Sequence, residues 1–261
     1  MNTLTNIMHL IIDMDGVLYL GDQPMPGLCE FFTFLRERHI RFILATNNST
    51  RTPQAYVDKL AGMGVIVTSD EILVSGQATA RFLRREYPRG TRVHVFGMPS
   101  LKQAMTEEGF VVADEDVPLV VASMDREITY DKLKRATLLI REGARFVATN
   151  LDPTNPSEEG LLPGSGSMIV ALEAASGMKA QAIGKPEPTM YQLAMEQMGA
   201  RPETTAAIGD RVDTDILGGK RAGLTTICVL SGSSNRLEAE AIGTDMIFDD
   251  IAHLLETWKH H

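Results

Sequence analysis

Two aspartates stand two residues apart in Asp13-Met14-Asp15-Gly16, directly after the apolar run His9-Leu10-Ile11-Ile12. Carboxylates this close, beside a low-dielectric strand end, repel each other and ionise at a cost unless a cation joins them. Taken alone, the pattern is equally that of a solvated turn, since Asp and Gly favour turns. A second acidic cluster, Gly209-Asp210-Arg211-Val212-Asp213-Thr214-Asp215, follows the run Thr205-Ala206-Ala207-Ile208. If both runs are central parallel strands, Asp13, Asp15 and Asp210 converge at one edge of the sheet. Oxygen-only donors call for a hard cation, and a few carboxylates completed by water and phosphate suit Mg²⁺ better than Ca²⁺.

Features that hold phosphate accompany the carboxylates. Thr46 and Asn47 close the run Arg41-Phe42-Ile43-Leu44-Ala45. There a hydroxyl, an amide and backbone N–H groups can grip an anion near a helix start, although the same residues also serve as ordinary caps. Gly184-Lys185-Pro186 follows another short strand, and the proline restricts where Lys185 points. A lysine there offers a point cation to phosphate; on its own it is a solvated charge.

The elements that must position these residues alternate strand and helix. Apolar runs predict strands over 9–12, 41–45, 93–96, 119–122, 145–148, 180–183, 205–208 and 225–229. Helical spacing predicts helices over 26–38, 53–63, 77–85, 100–108, 129–141, 167–175, 189–198, 213–222 and 251–258. Residues 149–166, rich in Pro and Gly, read as a long irregular loop of the kind that is usually functional or disordered. Repeated βα units mean a parallel sheet with helical crossovers, and in such sheets ligands bind beyond the carboxyl ends of strands. Arg41-Phe42-Ile43-Leu44-Ala45-Thr46-Asn47 is echoed by Arg145-Phe146-Val147-Ala148-Thr149-Asn150, which suggests two α/β layers.

Composition narrows the partners. The 261 residues carry 25 Lys and Arg against 34 Asp and Glu, a net charge of −9, which opposes general binding to nucleic acid or anionic membranes. No apolar stretch approaches the roughly 20 residues of a membrane span, and the first residues lack a signal-peptide pattern, so the cytoplasm is the expected location. Cys29 and Cys228 have no partner-like spacing and read as structural, as do His9, His39, His94 and His253.

Asp13-Met14-Asp15-Gly16-Val17-Leu18, the Thr46-Asn47 strand end, Lys185 and Gly209-Asp210 through Asp215 together resemble the four motifs of the haloacid dehalogenase (HAD) superfamily. With Ala148-Thr149-Asn150-Leu151-Asp152 and Gly184-Lys185-Pro186-Glu187-Pro188, the chain resembles the NagD-like branch, which includes p-nitrophenyl phosphatases. The resemblance implies a doubly wound, Rossmann-like parallel-sheet core with an inserted smaller α/β cap of the C2 type. It implies a phosphatase acting on small phosphomonoesters such as sugar phosphates, phosphoglycolate or pyridoxal phosphate. Asp13 would be the nucleophile that forms an aspartyl-phosphate, and Asp15 the general acid and then base. Mg²⁺ would be held by the Asp13 carboxylate, the Asp15 backbone carbonyl and the Asp210 carboxylate, with Asp215 behind them. Asp15, Thr46, Asn47 and Lys185 would engage the phosphoryl group or its ester.

Only 46 − 13 = 33 residues separate the first two motifs, while 185 − 46 = 139 separate Thr46 from Lys185. The insertion therefore lies in the second interval. The expected organisation is core over 1–80, cap over 81–181 and core over 182–261, with Asn150 and Asp152 as cap residues that select substrate. Asp15 argues against dehalogenation, because the superfamily's dehalogenases lack that acid. A non-catalytic phosphate- or metal-binding module of the same fold is the alternative, though none of the four motifs has lost a carboxylate. The resemblance leaves the oligomeric state open, with a homodimer as one outcome it allows.

Overall fold

A computed structural model describes residues 4–157 and 159–260. In chain order come strand β1 (His9–Ile12), the pair β2 (Tyr19–Leu20) and β3 (Gln23–Pro24), helix α1 (Leu28–Glu37), β4 (Arg41–Thr46), α2 (Pro53–Gly62), β5 (Ile72–Val74) and α3 (Ser75–Arg84). There follow β6 (Arg92–Phe96), α4 (Pro99–Glu107), β7 (Val111–Val112), β8 (Leu119–Ala122), α5 (Tyr130–Arg141), β9 (Arg145–Ala148), β10 (Thr154–Ser157), β11 (Gly160–Pro163), α6 (Ser165–Ser176) and β12 (Gln181–Ala182). Last are α7 (Pro188–Met198), β13 (Thr205–Gly209), a π-helical turn Val212–Ile216 leading into α8 (Leu217–Arg221), β14 (Thr225–Val229), α9 (Arg236–Ala241), β15 (Met246–Phe248) and α10 (Ile251–Lys259).

The chain divides into two compact units. Unit 1 takes the chain through Thr46, then Pro53–Leu73 and everything from Lys185 onward; unit 2 takes Asn47–Thr52 and Val74–Gly184. The main sheet has the order β15-β14-β13-β1-β4-β5. β1 runs parallel to both β13 and β4, and β14 runs parallel to β13 and β15. Leu10, Ile11 and Ile12 are all buried, so β1 carries an apolar run rather than an alternation, as a strand covered on both faces must. From β1 the chain first winds to β4 and β5 and later returns to β13 on the other side. The junction of β1 and β13 is therefore the switch point at which open α/β sheets hold ligands.

Unit 2 holds a five-stranded parallel sheet ordered β12-β9-β8-β6-β7. Its core gathers Phe96, Val120, Leu139, Ile140, Phe146, Ile169 and Leu172. Thr129 starts α5 by accepting from the Lys132 N–H at 3.2 Å, and Asp131 and Arg141 sit at the ends that suit their charges.

Three expectations are corrected. Residues 149–166 are not wholly irregular: β10 and β11 pair antiparallel, Thr154 opposite Pro163, with Gly160 at φ +115°. Pro153, Pro156 and Pro163 argue against a strand inside a sheet, but a two-stranded pair has only edges, where proline is tolerated. The single helix expected over 213–222 begins instead as the π-helical turn Val212–Ile216. Short strands β5, β7 and β15, the β2–β3 pair and α9 lie below the length at which periodicity is legible.

Candidate active site

In unit 1, β1 delivers Asp13 and β13 delivers Asp210 to the same sheet edge. The ladder continues past β1, since the Asp13 N–H donates to Ile208 O at 2.9 Å. One carboxylate oxygen from each of Asp13, Asp210 and Asp215 lies within 4.8 Å of the others. The third member of this trio is Asp215, whereas the carboxylate expected to converge was that of Asp15. β1 stops at Ile12, so the alternation that would set residues 13 and 15 on one face no longer applies. Asp15 is exposed and bridges to Tyr19 in the turn. Asp215 reaches the edge because the π-helical turn carries it back. Its N–H donates to Arg211 O at 2.9 Å, and its Oδ2 accepts from the Arg211 N–H at 3.2 Å. The Tyr191 hydroxyl holds its carbonyl at 2.9 Å.

Lys185 is buried at the same place. Its Nζ donates to Asp13 Oδ1 and to Ala45 O (3.0 Å), and lies 2.7 Å from Asp215 Oδ1. Burial pushes the Asp13 carboxyl well above the ordinary carboxylate range; the Lys185 charge opposes this, and Asp215 and Asp210 add to it. Asp210 is raised to about 6, first by burial and then by Asp215, with the Ser233 N–H acting the other way. For Lys185, burial favours the neutral amine, yet Asp13 and Asp215 overcome it and lift the ammonium well above its usual value. Among the described residues, one buried ammonium, that of Lys185, stands against the three clustered carboxylates, an excess of acidic groups that favours cation binding.

The loop after β14 is a part that sequence reading missed. Ser231 Oγ donates to Gly16 O at 2.7 Å, and the Ser233 N–H donates to Asp210 Oδ2 at 2.8 Å. A Cβ on Gly16, at φ +86°, would come 2.5 Å from Asp210 Oδ2, and one on Gly232 would collide with the same carboxylate. Two glycines thus make room for Asp210. The signal was present: Ser231-Gly232-Ser233-Ser234 lies past a strand end, where the same rule pointed to Asp13 and Asp210. The all-oxygen donors and the glycine cradle fit a hard divalent cation.

Thr46 is buried at the end of β4 in unit 1. Asn47 follows it and belongs to unit 2, where its carbonyl accepts from Ser75 Oγ at 2.6 Å. Asn150 and Asp152 are in unit 2 as well. Asp152 Oδ2 accepts from Asn47 Nδ2 at 2.9 Å and from Asn150 Nδ2 at 3.0 Å.

A family model for haloacid dehalogenase-like hydrolases matches residues 10–111, and a second HAD-hydrolase-like model matches 182–254. An acid sugar phosphatase of Staphylococcus saprophyticus is 34% identical over 256 residues, covering 97% of this chain and 98% of the relative. The chain belongs to the haloacid dehalogenase-like hydrolase family. Among solved structures, the HAD hydrolase matches a 4-nitrophenylphosphatase of Thermotoga maritima at TM-score 0.93 and 38% identity, over 98% of this chain and 99% of the other. NagD of E. coli superposes at TM-score 0.88 with 33% identity, over 94% and 97% of the two chains. A glycerol phosphate phosphatase of Mycobacterium tuberculosis, in complex with magnesium, gives TM-score 0.90 and 32% identity over 97% of this chain and 78% of that one. The expected fold, a HAD core carrying an inserted α/β cap, holds, and so does the NagD-like branch. This HAD hydrolase is an enzyme of the phosphatase class.

Proposed function

We propose that this HAD hydrolase is a Mg²⁺-dependent phosphatase of small phosphomonoesters that works through an aspartyl-phosphate at Asp13. The observation that carries the reading is the trio of Asp13, half-buried, with buried Asp210 and Asp215, and the Lys185 ammonium set against it. Phosphoryl transfer asks chiefly for positioning and for neutralising charge spread over the phosphoryl oxygens.

An Asp13 carboxylate oxygen attacks phosphorus, forming the acyl-phosphate bond as the bond to the leaving oxygen breaks. Asp15, exposed in the turn that follows, gives its proton to that oxygen. It then takes a proton from the water that attacks phosphorus, which releases inorganic phosphate and restores the Asp13 carboxylate. Lys185 opposes the rise that burial imposes on the Asp13 carboxyl and would neutralise phosphoryl charge. Thr46 and Asn47 hold the non-bridging oxygens. Mg²⁺, held by the Asp13 carboxylate, the Asp15 carbonyl and Asp210 with Asp215 behind, would supply Lewis-acid neutralisation of the phosphoryl charge.

Residues 81–181 are taken as a C2-type cap, with Asn150 and Asp152 on the loop that meets substrate. The sugar-phosphate and glycerol-phosphate relatives favour small polyol phosphates; phosphoglycolate and pyridoxal phosphate fit the same site chemistry. Among the described residues no helix is long and apolar enough to cross a membrane. The net charge of −9 supports an enzyme without nucleic-acid partners. We place it in the cytoplasm, as a homodimer.

The test is hydrolysis of p-nitrophenyl phosphate with Mg²⁺ and after chelation, by wild type and Asp13→Asn. Turnover should require the metal and fall by about 10³-fold or more in the variant, the size of effect seen when a group that acts only in the transition state is removed. Undiminished turnover in Asp13→Asn would refute the mechanism.

A further inference from the structure

Asn47 sits at a junction. It is the first residue of unit 2 after Thr46, and Gly184, the last residue of unit 2 before Lys185, lies against it. A Cβ on Gly184 would come 2.6 Å from Asn47 Oδ1 and 2.5 Å from Thr149 O, while the Gly184 N–H donates to Thr149 O at 2.8 Å. The two chain connections that carry proposed phosphate-holding residues therefore meet one set of unit 2 side chains.

That set is polar, with Ser49, Ser123, Thr149 and Asn150 buried and Asp152 half-buried. Thr149 Oγ1 donates to Asn150 Oδ1 at 2.9 Å and lies 2.9 Å from Ser123 Oγ, which in turn contacts Ser49 Oγ. Asn150 Nδ2 and Asn47 Nδ2 both donate to Asp152 Oδ2. A carboxylate accepts and does not donate, so both amide NH₂ groups must face Asp152 and both amide oxygens must face away. Asn47 Oδ1 accordingly faces Gly184. A buried amide with its partners removed would turn to find others.

We propose that Asp152 is a positioning residue for the Asn47 amide and not a contact that selects substrates. This rests on the phosphatase reading, in which Asn47 holds the phosphoryl group. Since every phosphomonoester presents the same phosphoryl group, Asp152 should influence all substrates alike, and inorganic phosphate with them.

The experiment uses the full chain with Mg²⁺. It compares wild type, Asp152→Ala, Asp152→Asn, Asn47→Ala and the Asn47→Ala/Asp152→Ala double variant. Steady-state kinetics on three phosphomonoesters of different leaving group are measured beside the dissociation constant of inorganic phosphate by calorimetry. Asp152→Ala should weaken phosphate binding and raise KM by about tenfold, equally for every ester, the scale of one lost charge-assisted hydrogen bond. The double variant should bind phosphate no worse than Asn47→Ala, because coupled residues do not add. Asp152→Asn keeps an accepting oxygen and should recover to within about threefold of wild type. A re-ordered ester ranking with unchanged phosphate affinity, or additive losses in the double variant, overturns the proposal. Should Asp152→Ala fail to fold, Asp152→Ser takes its place: a hydroxyl accepts more weakly than a carboxylate, so KM and the phosphate constant should rise together for every ester, and a re-ordered ester ranking with unchanged phosphate affinity overturns the proposal. The phosphatase reading stands or falls separately, on wild-type turnover and its loss in Asp13→Asn.

Discussion

β4 in unit 1 and β9 in unit 2 open with the same residues, Arg41-Phe42 and Arg145-Phe146, and run on to Ala-Thr-Asn. Their neighbours match too. Leu10-Ile11-Ile12 in β1 leads to Asp13-Met14-Asp15, and Val120-Val121-Ala122 in β8 leads to Ser123-Met124-Asp125. Phe42 pairs with Leu10 as Phe146 pairs with Val120. The outcomes differ at three points. Asp13 becomes Ser123, so one sheet edge gathers buried charge around Lys185 while the other gathers the neutral hydroxyls of Ser49, Ser123 and Thr149. Thr46 lies four residues beyond Phe42 and Thr149 three beyond Phe146, and on an alternating strand that single residue reverses the face. Asp125, the counterpart of Asp15, is buried against Lys132 at 2.8 Å, while Asp15 is exposed. A shared strand motif therefore does not decide chemistry; the first residue past the adjacent strand does.

The largest effect should come from Lys185→Met, which leaves Asp13 and Asp215 buried without their cation. It should cost about 3–5 kcal/mol, read as a lowered denaturant midpoint, together with loss of turnover. A midpoint near wild type would mean that the charged edge is no more demanding than the neutral one. Ser123→Asp writes the unit 1 residue into unit 2, where the side-chain partners of Ser123 among the described residues are the hydroxyls of Ser49 and Thr149. It should cost about 3 kcal/mol through a poorly compensated buried charge and add no turnover. A gain in activity would show that the second edge can be converted by one residue. The smallest effect is a pH slope confined to unit 1. Asp210 is raised to about 6 in the folded chain, so its contribution to stability is complete below the ordinary carboxylate value near ~4 and is lost as pH rises through about 6. The melting point of metal-free protein relative to Asp210→Asn should thus fall between about pH 5 and about pH 7; a constant difference between the two would refute it. Added Mg²⁺ should raise the melting point more at the higher pH, where the carboxylates are free of protons.

What the sequence made legible was whatever depends on strands long enough to show a run. The placement of Asp13 and Asp210 followed from the runs before them, and the expected helix over 129–141 matches α5 within a residue because Thr129 caps it. Asp215 was read as standing behind the ligands, and its approach to within 4.8 Å of Asp13 and Asp210 depends on a π-helical turn that no 3.6-residue period announces. The bond from Asn47 to Asp152 joins residues 105 apart, so only the fold could bring it to light. The Ser231–Ser233 loop carries no charged side chain, so its part in holding Asp210, through the Ser233 N–H, shows only in the fold.

The heart of the main sheet is stitched from distant ends of the polypeptide: Leu10 lies beside Ala206. On a ribosome, unit 2's five strands would already have emerged while β1 still waited for β13, since Val74–Gly184 precedes it in synthesis. A nascent chain that had just released residue 190 would thus own all strands of the second sheet and only β1, β4 and β5 of the first. Chaperone dependence of this enzyme should centre on that interval, when an apolar strand made early has no neighbour on one side.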